Sequence, residues 1–247
     1  MVLSYKSVDW HRYRMNWRGD PHPRMEPPER EIEVVRGALE FLRAKGIISH
    51  TRYSHQRFLA YREAVRESFE IPWTGISPRM QRLIYALNAI HQPAVMVAVG
   101  IFCGNTFFNN AGAAVGPGAC YRARRLVGIE IDAEEARRAS RNVARLDPEG
   151  YCEIVAAEGS GWLKNCPDAI DLLYIDADGS YYPVIMAAAR PLRRGSLVLA
   201  HNSINMARSM ADYLGYVRSP DNSRVSVNVH IDDQGLEVTL WDPKSLP

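Results

Sequence analysis

The chain carries almost no net charge. Its 30 Lys and Arg against 28 Asp and Glu leave +2 over 247 residues, so nothing global points to nucleic acid. Cysteine is scarce. Cys103, Cys120, Cys152 and Cys166 are the only four, and no two form a C-x-x-C pair. That removes the usual metal-ribbon spacing and reads the thiols as small hydrophobes of a reducing, cytoplasmic setting. No apolar N-terminal run resembles a signal peptide, and no stretch is long enough to span a bilayer. Internal repeats and low-complexity tracts are also lacking. What is present is ordinary globular composition, 47% hydrophobic and 23% charged, enough for one large core.

Local charge is less even. Residues 1–30 hold Arg12, Arg14, Arg18, Arg24 and Arg30 among Trp10, Tyr13 and Trp17. Such a cluster suits an anionic partner, or an arm packed on its own domain or on a second subunit. One short cluster favours the arm. The segment is rich in Pro and Arg up to Pro28 and reads as irregular.

From Glu29, Ile32, Val35, Leu39 and Leu42 recur at helical spacing, and Gly46 supplies a stop. "SHQRFLAYREAVRESF" reads as a second helix. In "TGISPRMQRLIYALNAI", Ser77 can cap, Pro78 suits the first helical position, and Met80, Leu83, Ile84 and Leu87 form one apolar stripe. After Pro93 the texture changes. "AVMVAVG", "RLVGIEID", "YCEIVAAE", "IDLLYIDAD" and "GSLVLAHN" read as strands, the first two Val- and Ile-rich as if buried on both faces. Helical patterns, among them "AEEARRASRNVARL", separate most of them. "RVSVNVHID" and "LEVTLW" flank "DQG" as a hairpin. The reading is an α/β fold: a doubly wound, mostly parallel seven-stranded sheet ending in an antiparallel hairpin, with helices before it. Residues 1–73 form a cap or interface, and 74–247 a Rossmann-like core.

In such sheets ligands sit at the C-terminal strand ends. The first end reads Gly100-Ile-Phe-Cys-Gly104-Asn-Thr106. Glycines let a backbone approach a ligand, and the helix start that follows offers free N–H groups. It is not the three-glycine fingerprint of dinucleotide binders. Glu130 ends the second strand, where a carboxylate can take both hydroxyls of a ribose or cap the helix near Asp132. Glu158 and Gly159 end the third, where the acid can accept from an adenine amino group or stand solvated in a loop. Asp176 and Asp178 end the fourth, His201 and Asn202 the fifth. Asp176, His201 and Asn202 can converge on one metal ion or one substrate group.

The order of "TGISPRMQRLIYAL", "MVAVGIFCGNTF", "VGIEID", "DLLYIDADGSYY", "GSLVLAHNSI" and "DQGLEVTL" resembles the class I S-adenosylmethionine-dependent methyltransferases. Within them it is most similar to small-molecule O-methyltransferases of the catechol and caffeoyl-CoA type. The similarity runs from Thr74 to Trp241. The resemblance implies that Gly100, Gly104 and Thr106 cradle the methionine portion of S-adenosylmethionine, with Phe102 lining it and Ile76 and Ser77 closing over it. It implies Glu130 on the ribose, Glu158 and Gly159 by the adenine, and Ile131, Asp176 and Asp178 among the cofactor residues. Asp176 and Asn202 stand where the family has metal ligands. A homodimer is a further family-level implication.

Three departures are specific to this chain. Ala98 stands where the family has an acid for the cofactor's ammonium. His201 replaces a second aspartate ligand, and Gly179 replaces a lysine that helps deprotonate the acceptor. One carboxylate, an imidazole and an amide suit Mg²⁺ less than two carboxylates and an amide do. Either a softer ion completes the site or His201 acts as general base with Asp176 beside it, since an imidazole titrates near pH 6.5. The expected function is methyl transfer to a small, hydroxylated, aromatic acceptor. The alternatives are a non-methylating elimination or cyclisation on the same fold, and a non-catalytic subunit of a related partner chain.

Overall fold

Ala98 and its neighbours show how the sheet is built. In the computed structural model, which describes residues 4–6 and 26–244, strand β2 (Val95–Val99) is buried throughout. Side chains alternate across a strand, so Met96 and Ala98 enter one apolar cluster and Val95, Val97 and Val99 the other. Strands β3 (Arg125–Glu130), β4 (Cys152–Ala156), β5 (Ile170–Ile175) and β6 (Leu192–His201) run parallel to it. β7 (Ser223–His230) and β8 (Leu236–Trp241) form the hairpin, and β8 lies antiparallel between β6 and β7.

The seven strands read from the sequence are all present, and an eighth joins them. β1 (Ser4–Lys6) pairs parallel with β7, Ser4 opposite Asn228 and Lys6 opposite His230. The sheet order is β1-β7-β8-β6-β5-β2-β3-β4. This corrects the irregular reading of the opening segment in part. Three residues carry no period of their own, so only the open edge of β7 reveals them. The Arg- and Trp-bearing stretch from Trp10 to Arg24 lies outside the described residues.

Helices cover both faces. α1 (Pro28–Ala44), α2 (His55–Ser68), α3 (Pro78–His91), α4 (Asn105–Ala111) and α5 (Ala133–Ala144) share the cluster containing Ala98. α6 (Gly159–Lys164), α7 (Tyr181–Ala188) and α8 (Ala211–Val217) share the other. α3 starts as its sequence dictates, Ser77 Oγ accepting from Met80 N at 3.1 Å with Pro78 in the first turn. It does not keep a single apolar stripe. Nearly every residue is buried, because α1 and α2 cover the side turned away from the sheet. Its two arginines go under with partners. Arg79 Nε donates to Glu26 at 2.6 Å. Arg82 Nε donates to Glu31 at 2.5 Å, and Arg62 Nη2 donates to the same oxygen at 2.6 Å. Among the described residues no helix is long and apolar enough to cross a membrane.

Candidate active site

The C-terminal ends of β2 to β6 open into one cavity of about 550 Å³. Its floor is the turn after β2. Gly100 has φ +78°, and a Cβ there would overlap the backbone oxygen of Asp176 at the end of neighbouring β5. At Gly104, φ +88°, a Cβ would stand 3.1 Å from Ala139 on α5. Both glycines are therefore demanded by packing, whatever the turn binds. Phe102 between them also lies in the left-handed region, φ +48°, and its ring tilts against Trp73 at 4.9 Å.

Glu130 holds this turn. One carboxylate oxygen accepts from Ile101 N at 3.0 Å and Phe102 N at 2.7 Å, and the other accepts from Asp132 N at 3.1 Å. A carboxylate offers about four acceptor positions, so capacity toward a ligand is left. Asp132, not Glu130, caps α5, accepting from Glu134 N and Glu135 N. Glu158 caps α6, accepting from Ser160 N, Ser160 Oγ and Gly161 N at 2.6–2.9 Å, and these bonds hold its carboxyl below the usual range. It is a capping acid that also lines the cavity.

The opposite wall carries the polar centre. His201 is buried, and its Nδ1 lies 3.2 Å from Asp176 Oδ2. Asn202, φ +64°, donates from Nδ2 to Asp176 Oδ1 at 3.1 Å. Burial is the strongest single influence on His201 and lowers its pKa. The charge and hydrogen bond of Asp176, the charge of Asp232 and the Gln234 side chain together outweigh it, so the imidazole titrates above its ordinary value. His201 Nε2 and Gln234 Oε1 are both buried with no hydrogen bond of good geometry, although Gln234 lies near enough to favour the protonated ring.

These three side chains do not fit a divalent metal. Both oxygens of Asp176 are engaged, the nearer His201 nitrogen faces that carboxylate, and Asn202 presents N–H. Among the described residues no group of three His, Cys, Asp or Glu could hold an ion. Asp176, His201 and Asn202, the implied ligand set, form a hydrogen-bonded cluster in this structure.

Ile76, Gly100, Phe102, Thr106, Glu130, Ile131, Glu158, Gly159, Asp176, Asp178, His201 and Asn202 all reach the cavity. Ser77 and Gly104 stand behind its wall, Ser77 donating to Asp232 at 2.5 Å. The sequence reading missed Trp73, Thr74, Asn105 and Gln234, which also line it. Gln234 sits in the "DQG" turn. Only the insertion of β8 beside β6, with Leu236 opposite His201, brings it there.

A methyltransferase-domain family model matches residues 97–203, from β2 to just past β6. No curated protein matches the chain. Solved structures do. The O-methyltransferase of Bacillus cereus in complex with SAH is 15% identical, with TM-score 0.58 over 85% of this chain and 100% of that one. The SAH-bound methyltransferase PaMTH1 of Podospora anserina is 12% identical, with TM-score 0.61 over 90% and 99%. The O-methyltransferase TomG of Streptomyces achromogenes, in complex with SAM, is 18% identical, with TM-score 0.56 over 88% and 100%. The chain shares the fold of these methyltransferases. Within that methyltransferase fold, Ala98 is fully buried between Gly128 and Tyr174 on the adjoining strands. Gly179 has φ +72° with open space around it, so a lysine there would meet no clash but would strain the backbone.

Proposed function

We propose that this chain transfers a methyl group from S-adenosylmethionine to a hydroxyl of a small molecule, with His201 as the base. The observation that carries the proposal is the buried Asp176–His201 pair, whose ring lines the same cavity as the glycine turn and Glu130. When bound, the cofactor supplies a methyl group on a sulfonium, an electrophile that needs little more than an aligned, deprotonated oxygen. Glu130 keeps acceptor capacity for the ribose. Ile131, 72% exposed at the tip of β3, offers an apolar platform for the base. Thr106 and the turn after β2 border the methionine end.

Asp176 accepts from Nδ1 and fixes the tautomer, leaving the Nε2 lone pair for the acceptor's proton. The new bond is from acceptor oxygen to methyl carbon. The bond broken is from methyl carbon to sulfur, which keeps the electron pair. The hydroxyl proton passes to Nε2. The solved neighbours captured with SAM or SAH support the cofactor assignment.

Calorimetry tests this reading. S-adenosylhomocysteine should bind the full chain, and Glu130→Ala should weaken it about tenfold or more, since the change removes a charged acceptor and the strap on the turn. Absence of heat with both the cofactor and its demethylated product would overturn it. Ala98 leaves the cofactor's ammonium without its usual acid, which favours one second reading, a non-methylating reaction on the same fold. Turnover with no cofactor present would decide for it.

A further inference from the structure

The segment between α2 and α3 is irregular, and side chains from other elements tie it down. Its last part, Trp73 to Ile76, borders the cavity. Its first part is held by α5, which packs behind the glycine turn, although none of its residues lines the cavity. Asn142 is the centre of that hold. Its Oδ1 accepts from Glu70 N at 2.8 Å, and its Nδ2 donates to Glu70 O and to Cys103 O, both at 2.9 Å. Two bonds thus fix the backbone of Glu70, and the third fixes the turn between Gly100 and Gly104. Arg138 and Arg145, four residues before and three after, flank Asn142 on the same face. Arg138 Nε stands 3.3 Å from Glu70 Oε1, and Arg145 donates to Ser68 O.

Asn142 is 1% exposed. A carboxamide suits the place because it presents an acceptor and two donors at once. Gln would carry the amide one methylene too far, and Asp would set an oxygen against two carbonyl oxygens. Further contacts continue along the segment. The Trp73 ring lies 4.9 Å from that of Phe102, and Thr74 Oγ1 accepts from Asn105 Nδ2 and from Ile76 N, each at 3.1 Å. Phe102, Cys103 and Asn105 are therefore each tied to the segment. Trp73 is 46% exposed, so burial does little to fix its ring.

We propose that Asn142 is a positioning residue for the cofactor. It fixes Glu70 against Cys103, and that spacing sets where Trp73 stands beside Phe102 at the cavity. Asn142 itself is out of reach of a ligand there. The proposal rests on the methyltransferase reading of the same cavity.

The test uses the full chain, with calorimetry of S-adenosylhomocysteine. Asn142→Ala should weaken binding about tenfold, near the scale of one net hydrogen bond. Trp73→Ala should weaken it by a similar factor, about tenfold. The double variant should be less than about threefold weaker than Trp73→Ala alone, because residues acting through one another do not add. A merely structural amide would add in full. Asn88→Ala is the control. Its amide is as buried, bonded to Ile84 O at 3.0 Å and Asn110 Oδ1 at 2.9 Å, and it does not line the cavity. It should lower stability in urea and leave affinity unchanged. Asn142→Asp keeps the acceptor and loses both donors, and it carries the same comparisons if Asn142→Ala does not fold. A ligand-free measurement stands beside these. Acrylamide quenching of Trp73, read as the difference from the matching Trp73→Ala chain, should rise in the Asn142 variant and not in Asn88→Ala. Unchanged affinity, a double variant threefold or more below Trp73→Ala, or unchanged Trp73 quenching would each overturn the proposal. Raised quenching in a chain that ignores S-adenosylhomocysteine would uphold the placement of Trp73 by Asn142 and sink the cofactor assignment.

Discussion

Replacing Asp176 by Asn should reverse the direction in which His201 is shifted. In the native chain the ring is 2% exposed, and burial alone would push its pKa below the ordinary 6.5. It is raised because Asp176 supplies a negative charge and a hydrogen bond, helped by Asp232 and Gln234. A hydrogen bond to a charged group is worth about 1.5–3 kcal/mol, and one pKa unit is about 1.4 kcal/mol. Asp176→Asn should therefore lower the pKa, leaving burial to carry it below its ordinary value. The ring signal can be followed by proton–carbon NMR between pH 5 and 9. It is assigned among the seven histidines by its loss in His201→Gln. Stability should follow with the matching sign. A raised folded pKa stabilises fully below 6.5, and that contribution is lost as pH rises through the folded value. The variant's depressed pKa makes acid destabilising instead. Its deficit against the native chain in urea unfolding should thus widen as pH falls from 8.5 to 5.5. Acceptor methylation, which needs the neutral ring, should fall on the acid side at a higher pH in the native chain than in the variant. A midpoint that stays put or moves up in Asp176→Asn would refute the pairing on which the base assignment stands.

Two further changes test the fold beneath the site. Gly100→Ala adds a Cβ onto the Asp176 carbonyl at φ +78°. The left-handed backbone alone costs about 1–2 kcal/mol, so a loss below 1 kcal/mol in chemical denaturation would contradict the packing. Glu31→Gln leaves Arg62 and Arg82 buried with a neutral partner. Breaking such a network costs about 3–5 kcal/mol, a fall in Tm of roughly 6–20 °C for a chain of this size. A Tm within 2 °C of native would show that water or another group takes up the charge.

Much of this architecture is legible in the chain because its signals are local. Val-rich β2 is bounded by Pro93 and Gly100, Ser77-Pro78 opens α3, and Asp132 opens α5. The parts that stay hidden lack such signals. β1 exists only as a partner of β7. α8, seven residues with Gly215 inside, is held by burial of Tyr213, Leu214 and Val217 rather than by helix propensity. The all-round burial of α3 depends on α1 and α2 being laid over it, with Glu26 and Glu31 meeting its arginines. In the site, strand tips name Glu130, Asp176 and His201 directly. Gln234 and Trp73 arrive from a turn and a loop that only the tertiary fold brings alongside them.

The glycines of "MVAVGIFCGNTF" invite a ligand reading, and the structure gives them a different primary cause. Gly100 avoids Asp176 just after β5, Gly104 avoids Ala139 on α5, and at the third strand end Gly159 avoids the Val99 side chain. Each contact is between elements of the sheet and its helices, so each glycine would be required with or without a ligand. The glycine pattern is therefore evidence for the fold. Evidence for a ligand comes from groups that the fold does not need and that remain unsatisfied: the spare capacity of Glu130, the exposed Ile131, the Nε2 of His201, and Asp178. Ala98 belongs to the first kind. It fits a tight position between Gly128 and Tyr174 inside the apolar layer, where an ionised acid would be buried with no cation in register beside it. The ammonium that such an acid would hold must meet the remaining acceptors instead.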